Sequence, residues 1–279
     1  MNKIILKENK IKNIKKDNSF NYEIEQNEIL KLNILKIEIL KNTDLELEYE
    51  FLEDSKYEVI INVKKNIDLN MIEKINGKNT KIRTKITLED NAFVNISKIN
   101  DIENIKENII IYLNGINANI NYNLKTICKN IENYDLIIYH NNKETKSEIT
   151  TNGVNIQNGK LKFNVSSFVP NNNKNCIVTQ NNRIINLTNN ECIINPNLYI
   201  DEFEVSANHS ANIGSFNKNE IFYLQSRGIS KNEAIKLLIK GFLTNNLKIN
   251  EEEKEEITKK IDYYWRWNIE QKWFWIIKK

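Results

Sequence analysis

Glycine and proline are nearly missing from this 279-residue chain, which has 7 of the first and 2 of the second. So little glycine excludes a glycine-rich phosphate cradle. Neither GxxxxGK[ST] nor GxGxxG occurs, so the chain does not read as binding nucleotide by itself. Turns must be built from something else, and asparagine, which tolerates left-handed backbone, is the residue at hand. Cysteine is scarce too: Cys128, Cys176 and Cys192 stand far apart, with no CxxC and no HxxxH. Closed zinc sites usually show such close spacing, so the thiols read as buried apolar residues and no structural zinc is expected. An odd cysteine count without a secretion signal points to a reducing cytoplasm. The opening MNKIILKENKIKN carries only a short apolar patch and no cleavage site, so it is not read as a leader. No apolar run reaches the ~18 residues that span a bilayer. Charge of one sign is also lacking. There are 40 basic and 37 acidic residues, a net charge of +3, which gives no sign of a nucleic-acid partner. The mixed signs read as a solvated surface.

What is present is alternation. Leu45, Leu47, Tyr49 and Phe51 alternate with Glu46, Glu48 and Glu50. Ile82, Thr84, Ile86 and Leu88 alternate with polar residues. Ile116, Ala118, Ile120, Tyr122 and Leu124 do so with Asn or Lys, and Leu161, Phe163 and Val165 repeat the pattern. A period of two puts one face in a core and the other in water, so these segments predict many short strands. Asn-rich breaks at Asn141-Asn142, Asn171 to Asn173, Asn181-Asn182 and Asn189-Asn190 separate them. Strand clusters recur every ~20 residues with no helical pattern between them. Both a coiled stack of strands and a β-sandwich fit that spacing. Residues 1–30 carry mixed signals and are read as an N-terminal cap or irregular segment, or a short first helix. Residues 31–215 are the β core, and 216–279 a helical C-terminal unit.

The period changes after Ser215. Ile221 and Leu224 begin a short helix, with Gly228 where a C-terminal cap belongs. Ser230 and Glu233 have the form of a capping box. Ala234, Leu237, Leu238, Gly241 and Phe242 then make one apolar face. Asn250 with Glu253 starts a third helix, whose acidic first turn suits a helix N-terminus. Ile257, Ile261 and Trp265 continue along one side of it. The tail YYWRWNIEQKWFWIIKK holds all four tryptophans. It reads as packing on the domain or on a partner.

Candidate chemistry is thin. His209 and Ser210 are adjacent, but adjacency is not triad geometry, and GxSxG is absent. Asp201, Glu202 and Glu204 are candidate carboxylates for glycan cleavage. An alternating strand would put Glu202 and Glu204 together on a solvated face. His209 stands between the alternating Phe203 and Val205 and the small run Ser210, Ala211, Asn212. Small neighbours let backbones approach closely, so His209 suits a ligand or a cross-chain hydrogen bond as well as a satisfied core position.

The segment from His209 to Phe242, HSANIGSFNKNEIFYLQSRGISKNEAIKLLIKGF, resembles the C-terminal signature of the SufB/SufD family. That pattern is roughly HGAT-x-G, then LFYL-x-SRGI, then a helix ending in GF. Ser210 and Asn212 replace the usual Gly and Thr. Phe222-Tyr223-Leu224, Ser226-Arg227-Gly228-Ile229 and Gly241-Phe242 match directly. Upstream, Pro196 to Ile200 resembles the family's P-x-L-x-I strand, and His140 with Thr145 and Ser147 its H…T-x-S element. The resemblance implies a right-handed parallel β-helix with helical ends. It implies a non-catalytic scaffold subunit for iron–sulfur cluster assembly. Such a chain pairs with a SufB-like paralogue, or with itself, through the β-helix ends and docks a SufC-like ABC ATPase through its C-terminal helices. Phe222, Tyr223, Arg227, Gly228, Leu238 and Phe242 are the implied docking residues. His209 is the implied ligand of a transient cluster at the joint, and no nucleotide is bound by this chain. SufB-type chains carry a cysteine where Asn181 stands, and a Glu after the histidine where Ser210 stands, so the chain is more like SufD. A SufB-like homodimeric scaffold is the closer alternative, and a β-helix polysaccharide binder or lyase the more distant one.

Overall fold

The computed structural model describes residues 1–7, 10–27, 32–52 and 54–277. Side chains of residues 10–13 and 266–279 lie outside that description, and with them every tryptophan of the tail beyond Trp265. The alternating segments form a β-solenoid of about seven turns followed by three helices. Most turns contain two strands, and each strand lies parallel to its counterpart in the next turn. One ladder runs through β1 (Asn2–Lys7), β5 (Thr43–Phe51), the first halves of β7 (Asp68–Leu88) and β8 (Phe93–Leu113), β9 (Asn119–Cys128), β11 (Lys146–Asn155), β13 (Cys176–Asn186) and β15 (Val205–Gly214). The other runs through β4 (Leu32–Ile39), β6 (Ser55–Val63), the second halves of β7 and β8, β10 (Ile131–His140), β12 (Lys160–Val169) and β14 (Cys192–Ile200).

In-register stacking places equivalent residues over one another, so each inward position becomes a column. Leu45, Met71, Ile96 and Tyr122 make one such column, all buried. Each fully buried aliphatic side chain contributes about 1.5–3 kcal/mol, which makes inward alternation the main source of stability. The rungs are longer than the expected spacing of ~20 residues. Asp68 pairs with Phe93, Phe93 with Asn119, Asn119 with Lys146, and Lys146 with Ile177. Those steps grow from 25 to 31 residues as the connecting loops lengthen. Two strands of a turn can also run together: β7 bends at Gly77, whose φ is +131° and where a Cβ would lie 1.9 Å from the Phe51 carbonyl oxygen. Only glycine fits there.

Asparagine does replace glycine at the corners. Asn66, Asn91 and Asn117 have φ of 58°, 53° and 55°, one per turn, and Glu144 and Asn175 continue the row. Their amides form a ladder, Asn91 Nδ2 donating to Asn66 Oδ1 at 3.0 Å and Asn117 Nδ2 to Asn91 Oδ1 at 3.1 Å. One expected break is not a break. Asn181 and Asn182 lie inside β13, and Asn182 Oδ1 accepts from Thr151 Oγ1 at 2.8 Å.

Among the described residues of the first thirty, where a cap, an irregular segment or a short helix was expected, the regular elements are strands. β1 joins the parallel ladder and folds back on β2 (Lys10–Lys15), while β3 (Phe20–Asn27) folds on β4. These antiparallel hairpins cover the first turn. Their burial is uneven along β3, which explains the mixed signal in the sequence.

Three helices follow the last strand: α1 (Lys218–Ser226), α2 (Lys231–Thr244) and α3 (Glu251–Ile277). Gly228 takes φ +84° after α1, as a C-terminal cap requires. Ser230 Oγ accepts from Glu233 N at 3.3 Å, but the Glu233 carboxylate pairs with Lys236. At α3 the box is complete, since Asn250 N donates to Glu253 and Glu253 N to Asn250, both at 2.9 Å. The buried face of α2 is rotated from the expected one. Ala234, Ile239 and Leu243 are buried, Leu238 and Phe242 partly so, and Leu237 faces solvent. Ile239, Leu243, Ile257 and Ile261 pack on Ile127, Val154, Ile156 and Ile185, which point outward from the first ladder. Polar clamps hold α3 in place: Lys74 pairs with Glu253 at 3.3 Å, and Tyr264 Oη donates to Asp101 at 2.6 Å.

Candidate functional site at the open end of the solenoid

The N-terminal end is covered by hairpins, but among the described residues β14 and β15 are the last rungs and no strand follows them. On β14 the inward side chains are Cys192, Ile194, Pro196, Leu198 and Ile200, because their partners on β12 are the buried Leu161, Phe163, Val165, Ser167 and Val169. On β15 they are Val205, Ala207, His209, Ala211 and Ile213, above Cys176, Val178, Gln180, Asn182 and Ile184. These inward residues are only partly covered or exposed, since nothing stacks on them. His209 therefore occupies an inward column at an open mouth, flanked by two alanines. Gln180 lies one rung below it, fully buried. Its Nε2 donates to Ser167 Oγ at 2.9 Å and to Asn197 O at 3.2 Å, while its Oε1 has no partner. Phe203, at the tip between β14 and β15, is 100% exposed.

The carboxylates considered for glycan chemistry do not converge. Residues 201–204 form a bend rather than a strand, and Glu202 accepts from the backbone N–H groups of Asn172, Phe203 and Glu204. The other histidine is a satisfied core residue. Thr145 Oγ1 donates to Asn142 O at 3.0 Å, so it accepts from His140 Nδ1 at 2.8 Å; Nε2 then accepts from Ser147 Oγ at 2.9 Å. Burial holds the imidazole down to about 4, so it is neutral. Cys176 belongs to the same corner, 3.2 Å from Thr145 Oγ1. Cys128, at the end of β9, and Cys192, at the start of β14, are both free thiols. Burial pushes the Cys128 thiol far up, leaving it protonated. Among the described residues no group of three or more His, Cys, Asp or Glu could hold a metal ion.

The implied docking residues divide between two environments. Phe222 and Tyr223 on α1 are 71% and 57% exposed, and Arg227 lies over the Tyr223 ring at 5.4 Å. Phe242 meets Phe216 edge-on at 6.3 Å with Arg183 over its ring, and Leu238 packs beside it. The outward pair could meet a partner, whereas the inner pair supports α1 and α2 from below.

Sequence reasoning missed several buried polar groups, three of which stand out. Lys98, inside the solenoid, pairs with Glu107 at 2.5 Å and Glu73 at 2.9 Å. Glu132 is buried against Tyr134 and Thr126, and burial lifts it to about 7. Gln180 is the third. Phase could have found them: Lys98 follows Val94 and Ile96 on the inward parity, and Gln180 follows Cys176 and Val178.

Residues 101–242 match the SufBD core domain of the SUF system for iron–sulfur cluster assembly, just over half of the chain. The chain belongs to the SufB/SufD family. Within that family it is SufD-like: it is 34% identical over 113 residues to the iron–sulfur cluster assembly protein SufD of Bacillus subtilis. It is 31% identical over 111 residues to a SufBD family protein of Galdieria sulphuraria, and 47% over 49 residues to one from Pyrococcus horikoshii. These matches cover 40%, 37% and 18% of this chain, and 26%, 47% and 10% of the relatives. The match to the Bacillus protein thus spans about a quarter of that protein's length. The domain match takes in both histidines, the open end, α1 and nearly all of α2. No helix among the described residues is long and apolar enough to cross a membrane.

Proposed function

We propose that this SufB/SufD-family chain is a SufD-like, non-catalytic scaffold subunit of a cytoplasmic iron–sulfur cluster assembly complex. It pairs with a SufB-like chain through β14 and β15, and a SufC-like ATPase docks on α1 and α2 around Phe222, Tyr223, Arg227 and Gly228. The observation that carries this reading is the uncapped last turn, with His209 held inward at its mouth. Edge strands expose unpaired N–H and C=O groups, and a second sheet end satisfies them. Pro196 has no N–H to offer from β14, whereas β15 contains no proline, so β15 is the better edge for pairing. The cluster is cargo. His209 offers it an imidazole nitrogen, and the partner's thiolates hold most of the iron. Motion of the docked ATPase reaches the joint because α1 follows β15 directly and α2 packs on the solenoid.

Co-expression with SufB-like and SufC-like chains tests the proposal. A stable ternary complex is expected, and His209→Ala should leave it assembled while lowering cluster yield. Failure of the purified proteins to associate would sink it. A second reading has one observation in its favour: Cys192 also faces the open mouth. A SufB-like homodimer would then bind cluster without a paralogue, and Cys192→Ser would abolish that binding. Cys176, buried against Thr145 Oγ1 and the Asn142 and Asn173 carbonyls, could not substitute.

A further inference from the structure

Lys125 is on β9, in register with Ile99 and Asn152, and points outward from the solenoid. That face is covered by the helical unit, so the side chain is only 2% exposed. Among the described residues its one hydrogen-bond partner is Asn152. With the Asn152 amide turned so that its nitrogen donates to Thr151 O at 3.1 Å, its oxygen accepts from Lys125 Nζ at 2.7 Å. Among the described residues no carboxylate pairs with this amine. Asp101 is occupied by Lys129, Lys260 and Tyr264, and Glu253 by Lys74. Desolvation alone lowers the group to about 8, so a substantial fraction is the free amine in mildly alkaline solution.

The amine lines a cavity of about 30 Å³ between the sheet and α3, with Ile99, Ile127 and Ile257 as its apolar wall and Lys74, Asn76, Asp101, Glu253, Glu256 and Lys260 as its polar rim. Such a space admits a water or a molecule of a few atoms. The reactant best suited is small, uncharged and apolar, because a charged one would have to shed its hydration to enter. A buried neutral amine is a nucleophile.

We propose that Lys125 is a covalent modification site, taking up carbon dioxide reversibly as a carbamate within this cavity. The Nζ lone pair attacks the carbon and an N–C bond forms. One C–O π pair moves onto oxygen, and the proton leaves nitrogen for solvent. The product is a carboxylate on Nζ. The Lys74 ammonium and the Asn76 amide, which line the same cavity, are its donors. The modification adds a negative charge beneath α3 beside Glu253 and Glu256, where it competes with them for Lys74, and so loosens the clamp between helix and solenoid. This inference does not depend on how the open end is used.

The full chain equilibrated with ¹³C-bicarbonate near pH 8 should give a carbamate resonance that disappears in Lys125→Met and persists in the exposed-lysine control Lys259→Met. Trapping with an alkyl-oxonium reagent, followed by proteolysis and mass spectrometry of the unmutated chain, should place the adduct on the peptide containing Lys125. That second measurement stands even if Lys125→Met fails to fold. Absence of the trapped adduct at saturating carbon dioxide, or an unchanged resonance in folded Lys125→Met, overturns the proposal.

Discussion

A histidine that cannot leave its pocket becomes an acid sensor of stability. His140 is neutral in the fold because burial lowers it from 6.5 to about 4. The unfolded chain binds a proton below the ordinary value and the folded chain does not. The stabilisation tied to the neutral ring is therefore complete above pH ~6.5 and is lost as pH falls toward 4, about 3 kcal/mol in all. Urea unfolding followed from pH 7 to pH 4 should show this loss in the wild type, and the difference should vanish in His140→Leu. Lys98 poses the opposite problem, a buried cation between Glu73 and Glu107. Burial together with the Glu73 charge raises Glu107, and Lys98 only partly offsets it. Lys98→Met should cost roughly 3–5 kcal/mol by stranding both carboxylates, whereas replacing all three residues with apolar ones should recover most of that loss. Thermal melts of the single and triple variants separate the two outcomes.

At the level of the element, the corners rather than the strands decide what a substitution does. Asn117 sits at φ 55° and donates to Asn91. Asn117→Val puts a β-branched residue into left-handed backbone and should cost about 1–2 kcal/mol. Asn117→Gly loses only the amide bond and should stay within about 1 kcal/mol; denaturant midpoints of the pair give the comparison. This chemistry was legible beforehand, because so little glycine leaves asparagine to make the turns. The inward columns were legible too, since Leu45 to Phe51 and Leu161 to Val165 alternate cleanly. The rung length was not, because β7 and β8 run through their corners without a break in pattern. Nor was the role of Lys125, which sits at an outward parity that reads as surface until α3 covers it. The face of α2 was off by about one residue because its packing partner, the ridge Ile127–Val154–Ile185, comes from strands far away in sequence. His209 was singled out by its small neighbours, whereas Gln180 beneath it was passed over although its parity with Cys176 and Val178 marks it as inward.

For the whole molecule, the two ends of the solenoid are unlike, and that asymmetry makes the strongest prediction. Hairpins close the first turn, while the last turn offers an unpaired β15 edge and an inward face of alanines around His209. If a partner seats there, that face becomes a core. Ala207→Asp with Ala211→Asp places two inward-pointing carboxylates in it. In the isolated chain both side chains reach water, because neither alanine is covered by a following rung, so the melting temperature should barely move. In a pair both lose that water without gaining a counter-charge, a cost of at least about 3 kcal/mol, or more than a hundredfold in affinity. Analytical ultracentrifugation of the isolated chain and of its mixture with a SufB-like partner measures this directly. Equal association of the double variant and the wild type would mean that the open end is not the joint, and His209 would then have no second chain to face. Loss of association together with an unchanged melt assigns the interface to this face and leaves the fold out of the explanation.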